Sequence, residues 1–289
     1  MRAPIRIGAK LPHSGELAMR VGPARMAADL DEAGFDSIWV SDHVVFPYET
    51  TSRYPFAANG RPTWPFSDPY LEPLIVLGAV AAATSRAALG TSVLIAPMRN
   101  PVLMAKQAAT IDALSGGRLV LGVGVGWLRE EFEALDADFA ARGEVLDEWI
   151  EIMRACWTGS AGPFEGRHYR LPAAIHCRPA PEHGIPLLVG GMSRHAIRRA
   201  GVADGWLGQY ALETISERDI AAAVESMGSE EARVVVRVTG AAEHLDKLAL
   251  RLGAFAGAGV TEVIVDVNWK EEAGPERAAD LLRNAAART

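Results

Sequence analysis

The dipeptide Asp42-His43 is the strongest candidate for acid–base chemistry in this sequence. It directly follows an uncharged run, residues 37–41, at the point where a buried strand would end. A histidine titrates near neutrality, and a neighbouring carboxylate can orient its ring, so His43 is a candidate general acid or base with Asp42 beside it. The alternative is a histidine that only hydrogen-bonds within a loop.

Two glycine-containing segments are candidate ligand sites. Gly124-Val125-Gly126 follows a second buried run, and the glycines would let a flat ligand approach the backbone. Gly190 and Gly191 precede Ser193 at a predicted helix start, where free N–H groups and a hydroxyl would form a phosphate cradle. The alternative for the second segment is an ordinary glycine turn in which Ser193 is the helix N-cap.

The elements that must position these residues are clearest between residues 88 and 123. Small and β-branched residues at 88–95 predict a parallel strand that is buried on both faces. A helix is predicted over residues 101–114, and a second buried strand over 118–123. A right-handed crossover between the two strands would place Ser92-Val93 beside Gly124.

The rest of the chain continues this alternation. Eight strand candidates are each followed by a helix, which predicts one domain, residues 1–289, folded as an α/β (β/α)₈ TIM barrel. A hairpin-like insertion is predicted at residues 162–177, after the fourth helix. The alternative architecture is an open doubly wound sheet. Two of the predicted helices cover residues 22–33 and 244–256.

A proline-rich and aromatic segment, residues 44–69, lacks any sustained periodicity. A loop of this length inside a compact domain is usually functional or disordered, and its aromatic content favours a lid or a substrate wall. The substrate itself is not readable from the sequence, although these aromatic residues favour an apolar or ring-bearing small molecule.

Composition and charge exclude several classes of partner. The chain has 289 residues, 49% of them hydrophobic, and a net charge of −7 without a cluster of lysine or arginine. This balance argues against nucleic acid and anionic membranes as partners. The longest apolar run is too short to span a bilayer, and the start does not resemble a signal peptide, so we expect a cytoplasmic protein. Two cysteines make no disulfide framework, and the histidine and cysteine spacings fit no common zinc pattern, so we expect no metal.

Taken together, these motifs resemble the luciferase-like monooxygenase superfamily, and most closely its branch of coenzyme F420-dependent oxidoreductases. The resemblance covers nearly the whole chain. It is carried by GFDSIWVSDH at 34–43, LGTSVL at 89–94, DALSGGRL at 112–119, GVGVGW at 122–127, VGG at 189–191 and ADGW at 203–206.

The resemblance implies a barrel, usually a homodimer, that holds a flavin or deazaflavin across its C-terminal face and transfers a hydride between deazaflavin C5 and a small organic substrate. It implies that Asp42 hydrogen-bonds the ring and that His43 faces the reactive carbon. Ser92-Val93 corresponds to a bulge that contains a non-proline cis peptide in relatives. The implied lining of the cofactor is Gly124, Val125 and Gly126, and its phosphate would be bound by Gly190, Gly191 and Ser193.

The sequence departs from this pattern at two positions. Relatives that oxidise alcohols or a sugar phosphate carry a tryptophan and a glutamate where this chain has Pro47 and Trp127. Glu130 or Glu131 would then have to supply a carboxylate from the next turn. Two alternatives stay open: an FMN-dependent monooxygenase that uses reduced flavin and O₂, and a protein that holds a cofactor without turnover.

Overall fold

Eight parallel strands form the centre of the computed structural model, which describes residues 3–229 and 232–289. Each strand pairs with the next along the chain, and the last pairs with the first, so the sheet closes on itself. The strands are β1 (Arg6–Lys10), β2 (Ser37–Val40), β3 (Ala88–Thr91), β4 (Leu119–Gly124), β5 (Leu187–Gly190), β6 (Gly205–Ala211), β7 (Arg233–Thr239) and β8 (Glu262–Asp266). The predicted (β/α)₈ barrel is confirmed, because an open doubly wound sheet would leave two edge strands unpaired.

Helices surround the barrel. They are α1 (Gly15–Val21), α2 (Pro23–Ala33), α3 (Pro73–Ala83), α4 (Pro101–Ser115), α5 (Arg129–Ala134), α6 (Arg142–Trp157), α7 (Arg194–Ala200), α8 (Glu217–Met227), α9 (Leu245–Ala249), α10 (Leu252–Gly257) and α11 (Gly274–Ala286). The prediction missed α1, which ends at Val21; Gly22, with φ of 86°, separates it from Pro23, where α2 begins. The helix predicted at 244–256 is two short helices rather than one.

The interior of the barrel is filled by side chains from six of its eight strands. One buried cluster combines Trp39 with aliphatic residues of five other strands; its members are Trp39, Val120, Leu188, Leu207, Val235 and Ile264. Burying each of these side chains stabilises the fold by roughly 1.5–3 kcal/mol. Gly90 is required here, because a Cβ at this position would lie 2.3 Å from the Trp39 ring. The barrel is therefore a packed core whose ligand-accessible surface is at its rim.

The strand predicted at 88–95 is interrupted. β3 ends at Thr91, the Ser92-Val93 peptide bond is cis, and Leu94 and Ile95 resume parallel pairing with Val123 and Gly124. The cis geometry is the one that the resemblance implies for this bulge. Beyond it, the predicted helix is confirmed as α4, which begins after Asn100, whose side chain accepts two backbone N–H bonds at 3.1 Å.

Two segments outside the alternation cover parts of the barrel. The insertion forms two short antiparallel pairs after α6, Ser160–Ala161 with Ile175–His176 and Phe164–Glu165 with Arg170–Leu171, as expected of a hairpin. The loop between β2 and α3 crosses the C-terminal face. Over residues 3–229 and 232–289, helices are too short or too polar to cross a membrane.

Candidate active site

The C-terminal ends of β2 to β5 bring most of the predicted site residues together. Val93 is at the centre of this group: a Cβ on Gly124 would lie 2.6 Å from its Cγ2, and a Cβ on Gly190 would lie 2.3 Å from its Cγ1. The two glycines therefore make room for the Val93 side chain on the bulge. Ser41 at the end of β2 joins the same group, since its hydroxyl donates to the Ser92 carbonyl at 3.2 Å.

His43 is held by a carboxylate that comes from a different element. Its Nδ1 lies 2.9 Å from Oε2 of Glu131, and the two side chains are 6% and 0% exposed. The other carboxylate oxygen of Glu131 accepts the backbone N–H of Val44 at 2.6 Å and that of Val45 at 3.3 Å. With Nδ1–H donating to the Glu131 carboxylate, the Nε2 atom of His43 is the one that can exchange a proton with a ligand.

The sequence did not decide whether Glu130 or Glu131 would supply the carboxylate. In the structure, Glu131 is the one that contacts His43. Glu130 points to the covering loop, where it accepts the N–H of Thr51 at 2.8 Å and the hydroxyl of Ser52 at 2.7 Å. Desolvation opposes its ionisation, but these hydrogen bonds prevail and lower the pKa of Glu130 to about 2. Glu130 anchors the loop, while Glu131 orients the histidine.

Asp42 is used by the protein itself. Its two oxygens form a bidentate ion pair with Arg99, at 2.6 and 2.9 Å, and one of them also accepts the N–H of Ile95 at 2.7 Å. Arg99 extends the network to Glu72 at 3.0 Å. These contacts tie the end of β2 to the segment after the bulge, so Asp42 positions its neighbour His43. A hydrogen bond from Asp42 to a cofactor ring stays a prediction.

His43 is surrounded by aromatic side chains from the loop at residues 44–69, from Tyr70 just after it, and from Trp127 after β4. Phe46, Tyr70 and Trp127 lie 4.7, 5.6 and 5.9 Å from the His43 ring, measured between ring centroids. Burial raises the pKa of Tyr70, which is therefore a neutral phenol at physiological pH. This enclosure excludes water from the histidine and gives a flat, largely apolar surround, as the predicted lid or substrate wall would.

The glycine turn after β5 has a clear local role. Gly191 has φ of 124° and donates its N–H to the Leu207 carbonyl at 3.2 Å, and the Ser193 hydroxyl accepts the N–H of Ala196 at 3.2 Å as the N-cap of α7. The N-cap interpretation of Ser193 is therefore confirmed, and the phosphate site of Gly190, Gly191 and Ser193 stays a prediction. Likewise, no ligand contact tests Val125 or Gly126, of which Gly126 has φ of 77°.

Sequence reasoning missed a second polar group at the rim. Lys10, Gln209, Arg237 and Asp266 lie at or near the C-terminal ends of β1, β6, β7 and β8, respectively. Each is a polar residue near the C-terminal end of its strand, and that position was the available signal.

The chain is similar to known proteins over most of its length. The luciferase-like monooxygenase family model matches residues 4–285. An uncharacterised Mycobacterium tuberculosis protein is 38% identical over 182 residues, 63% of each chain, and the F420-dependent glucose-6-phosphate dehydrogenase of Nakamurella multipartita is 35% identical over 71% of this chain and 56% of that protein. The aligned part therefore spans less than two thirds of these relatives' length.

Solved structures agree on the fold. An F420-dependent secondary alcohol dehydrogenase, in complex with an F420-acetone adduct, superimposes with a TM-score of 0.75 at 15% identity, over 98% of this chain and 99% of that one. The oxygenating component of 3,6-diketocamphane monooxygenase from Pseudomonas putida, in complex with FMN, gives 0.68 at 13% identity over 99% of both chains. At these identities the likeness establishes the barrel and its closure.

Proposed function

This chain belongs to the luciferase-like monooxygenase family, and we propose that it is an F420-dependent oxidoreductase that transfers a hydride between deazaflavin C5 and a small organic substrate. The observation that carries the proposal is the buried His43–Glu131 pair, 2.9 Å apart, next to the bulge at Ser92-Val93. Relatives that include an F420-dependent glucose-6-phosphate dehydrogenase support the choice of cofactor.

The residues at the bulge fit a flat ring with polar edges. The Ser92 hydroxyl is buried and has no hydrogen-bond partner in the described part of the chain. Such a group is rare in a folded protein unless a ligand or water satisfies it. A ring carbonyl or N–H at the bulge would do so, and Trp127 and Phe46 supply aromatic surface beside His43. We therefore assign Ser92, Val93, Gly124, Val125 and Gly126 to the ring, and Gly190, Gly191 and Ser193 to the phosphate.

When bound, the deazaflavin accepts or donates the hydride. The protein's part is to orient the reactants and to manage the accompanying proton. His43 holds or releases that proton at Nε2, while the Glu131 carboxylate fixes the tautomer through Nδ1 and stabilises the imidazolium. Arg99 and Asp42 hold the backbone that carries His43 in place. The aromatic enclosure keeps water away from the reacting atoms.

The proposal is tested by cofactor binding and by hydride transfer. We expect F420 to quench the tryptophan fluorescence of the protein at micromolar concentration, and FMN to bind more weakly. Reduced F420 would then be oxidised by one or more members of a panel of enones, nitro compounds and imines, with alcohols tested in the oxidising direction. His43→Ala should lower the rate of hydride transfer by about 10²–10⁴-fold while binding persists. Tight FMN binding without F420 binding would reject the proposal.

An FMN-dependent monooxygenase is the second candidate, because a solved neighbour with the same barrel binds FMN. It would be favoured by FMN binding together with oxygen consumption that depends on reduced flavin. A protein that binds the cofactor without turnover would retain F420 binding but show no effect of His43→Ala on hydride transfer. The homodimer and the cytoplasmic location stay predictions, the first of which light scattering on the purified protein can test.

A further inference from the structure

The rim of the barrel is divided into two arcs. The strand order places β2, β3, β4 and β5 side by side, and all the predicted cofactor residues follow these four strands. The other four strands, β6, β7, β8 and β1, are also contiguous and carry the polar group of Gln209, Arg237, Asp266 and Lys10. The proposed function gives this second arc no role so far, although it faces the same mouth.

Arg237 lies at the centre of the second arc, and its N–H donors have only long hydrogen-bond contacts. Its side chain is 16% exposed, and its contacts to Ser41 Oγ, Gln209 Oε1 and Asp266 Oδ1 are all long, at 3.4, 3.5 and 3.5 Å. Its Nε is buried with no partner among the described residues. A guanidinium has five N–H donors, and leaving them weakly paired in a buried place is unfavourable unless a ligand completes the set.

A second cation reinforces the first. The Lys10 ammonium lies 3.1 Å from Nδ1 of His13 and 3.2 Å from the Leu11 carbonyl, contacts that bring no negative charge. Burial, and then the charge of Arg237, lower the pKa of Lys10, and the pKa of His13 falls to about 3, mainly through burial. An added anion near Arg237 and Lys10 would relieve this repulsion.

Local charges decide what kind of anion fits. Asp266 is the carboxylate that contacts Arg237, and its side chain is 35% exposed. The Asp42 carboxylate is already paired with Arg99. The Glu131 carboxylate is already paired with His43 and two backbone N–H groups. An anion bound there favours the charged form of Lys10, and two cations against one carboxylate then leave one positive charge in the second arc, which matches a monoanion better than a dianion.

The second arc is connected to the proposed reaction centre. Ser41 Oγ is 3.4 Å from Arg237 and donates to the carbonyl of Ser92 on the bulge at 3.2 Å. The amide of Gln209 donates to Tyr54 OH at 3.2 Å, and the Tyr54 ring lies 5.2 Å from that of Trp127. A group bound at Arg237 would therefore lie one side chain away from the bulge, beneath the covering loop.

We propose that Arg237, assisted by Lys10 and Gln209, binds the carboxylate of a monoanionic substrate, which makes small monocarboxylic acids the substrate class of this enzyme. The claim that the bound acid is a substrate rests on the proposed function. The anion site itself does not. A bidentate contact of carboxylate with guanidinium would fix the acid at one end and present the rest of the molecule to the bulge and His43.

Binding of matched ligand pairs tests the proposal without turnover. Acetate, butyrate, benzoate and cinnamate are each compared with the corresponding primary amide by calorimetry, with and without F420. At least one acid should bind the wild-type protein more tightly than its amide. Arg237→Gln should weaken that acid by about 10- to 150-fold and leave its amide within threefold. Arg237→Lys should recover part of the loss, because it keeps the charge but not the bidentate geometry.

The control is Arg218→Gln, which removes an exposed arginine on α8 and should leave every affinity unchanged. The proposal is overturned if no acid binds better than its amide, or if inorganic phosphate binds and the acids do not. It is also overturned if Arg237→Gln weakens F420 and leaves the acids unaffected, since the arc would then belong to the cofactor. Acid binding that depends on Arg237, in a protein that does not bind F420, would retain the anion site and reject the proposed function.

Discussion

Replacing Glu131 with glutamine is the sharpest test of the His43–Glu131 pair. The substitution keeps the size of the side chain, and its amide oxygen can still accept the Val44 N–H that Glu131 accepts at 2.6 Å. What it removes is the charge opposite His43. The amide nitrogen, now facing Nδ1, is a donor, so His43 must change tautomer and carry its proton on Nε2. The atom that should exchange a proton with the ligand is then in the wrong state.

Two effects are expected, a lower kcat and a lower Tm. A correctly positioned acid or base contributes about 10²–10⁴-fold, so Glu131→Gln should lower kcat for hydride transfer by that factor while the Kd for F420 changes by less than about threefold. A buried hydrogen bond to a charged group is worth about 1.5–3 kcal/mol. With an unfolding entropy of about 2.1 cal/mol/K per residue, or about 0.6 kcal/mol/K for 289 residues, Tm should fall by about 2.5–5 °C.

Single-turnover kinetics and calorimetry measure the two quantities separately. Glu130→Gln is the matched control, because it changes the same residue type on the same helix at a carboxylate that contacts the loop instead of the histidine. It should leave kcat within about threefold. An unchanged kcat in Glu131→Gln, or equal losses in the two variants, would refute the assignment of Glu131 as the residue that orients His43.

Three further predictions concern the scaffold. Gly190→Ala places a Cβ 2.3 Å from Val93 Cγ1 and should destabilise the protein by about 1–3 kcal/mol in denaturant unfolding, and Val93→Ala in the same chain should recover part of the loss; a fully stable single variant would contradict this. Trp39→Phe removes the indole N–H that donates to buried Glu262 at 3.0 Å and should cost about 1–3 kcal/mol, with an unchanged midpoint as the contrary result. Because the pKa of Glu130 is lower in the folded protein than its ordinary value of 4.5, its stabilising contribution is present above about pH 4.5 and is lost as the pH falls toward 2. The Tm difference between the wild type and Glu130→Gln should therefore shrink from pH 6 to pH 3, and a constant difference would exclude this origin.

Much of the barrel could be predicted because its signals are local. Uncharged runs mark β3 and β4, and the N-cap at Asn100 with the left-handed Gly116 sets the ends of α4, each within a few residues of the sequence. The break in β3 depends instead on three strands at once, since the Val93 side chain needs the space left by Gly124 on β4 and Gly190 on β5. The sequence alone presents these glycines as ligand-binding positions, and their packing role emerges only after the barrel closes.

In the site too, residues close in sequence could be predicted and residues brought together by the fold could not. Asp42 and His43 are adjacent in the sequence and were found together, whereas their partners Arg99 and Glu131 are 57 and 88 residues away and come from other elements. The second arc was harder still, because Lys10 and Arg237 lie at opposite ends of the chain and meet only through the closure of β8 on β1. The local pattern shows only a polar residue near the end of each strand, and it does not indicate that these residues meet.

The position of Glu131 also bears on which proton transfers the site can support. Relatives with the full relay place a glutamate where this chain has Trp127, and here the carboxylate comes from one helical turn further along. Both of its oxygens are occupied, one by His43 and the other by backbone N–H groups, and the side chain is fully buried. Among the described contacts, both oxygens of Glu131 are committed, and under the proposed function His43 is the member of this pair that exchanges a proton at the bulge. Under the proposed function, a reaction that moves one proton with each hydride suits this arrangement better than one that requires a separate acid and base.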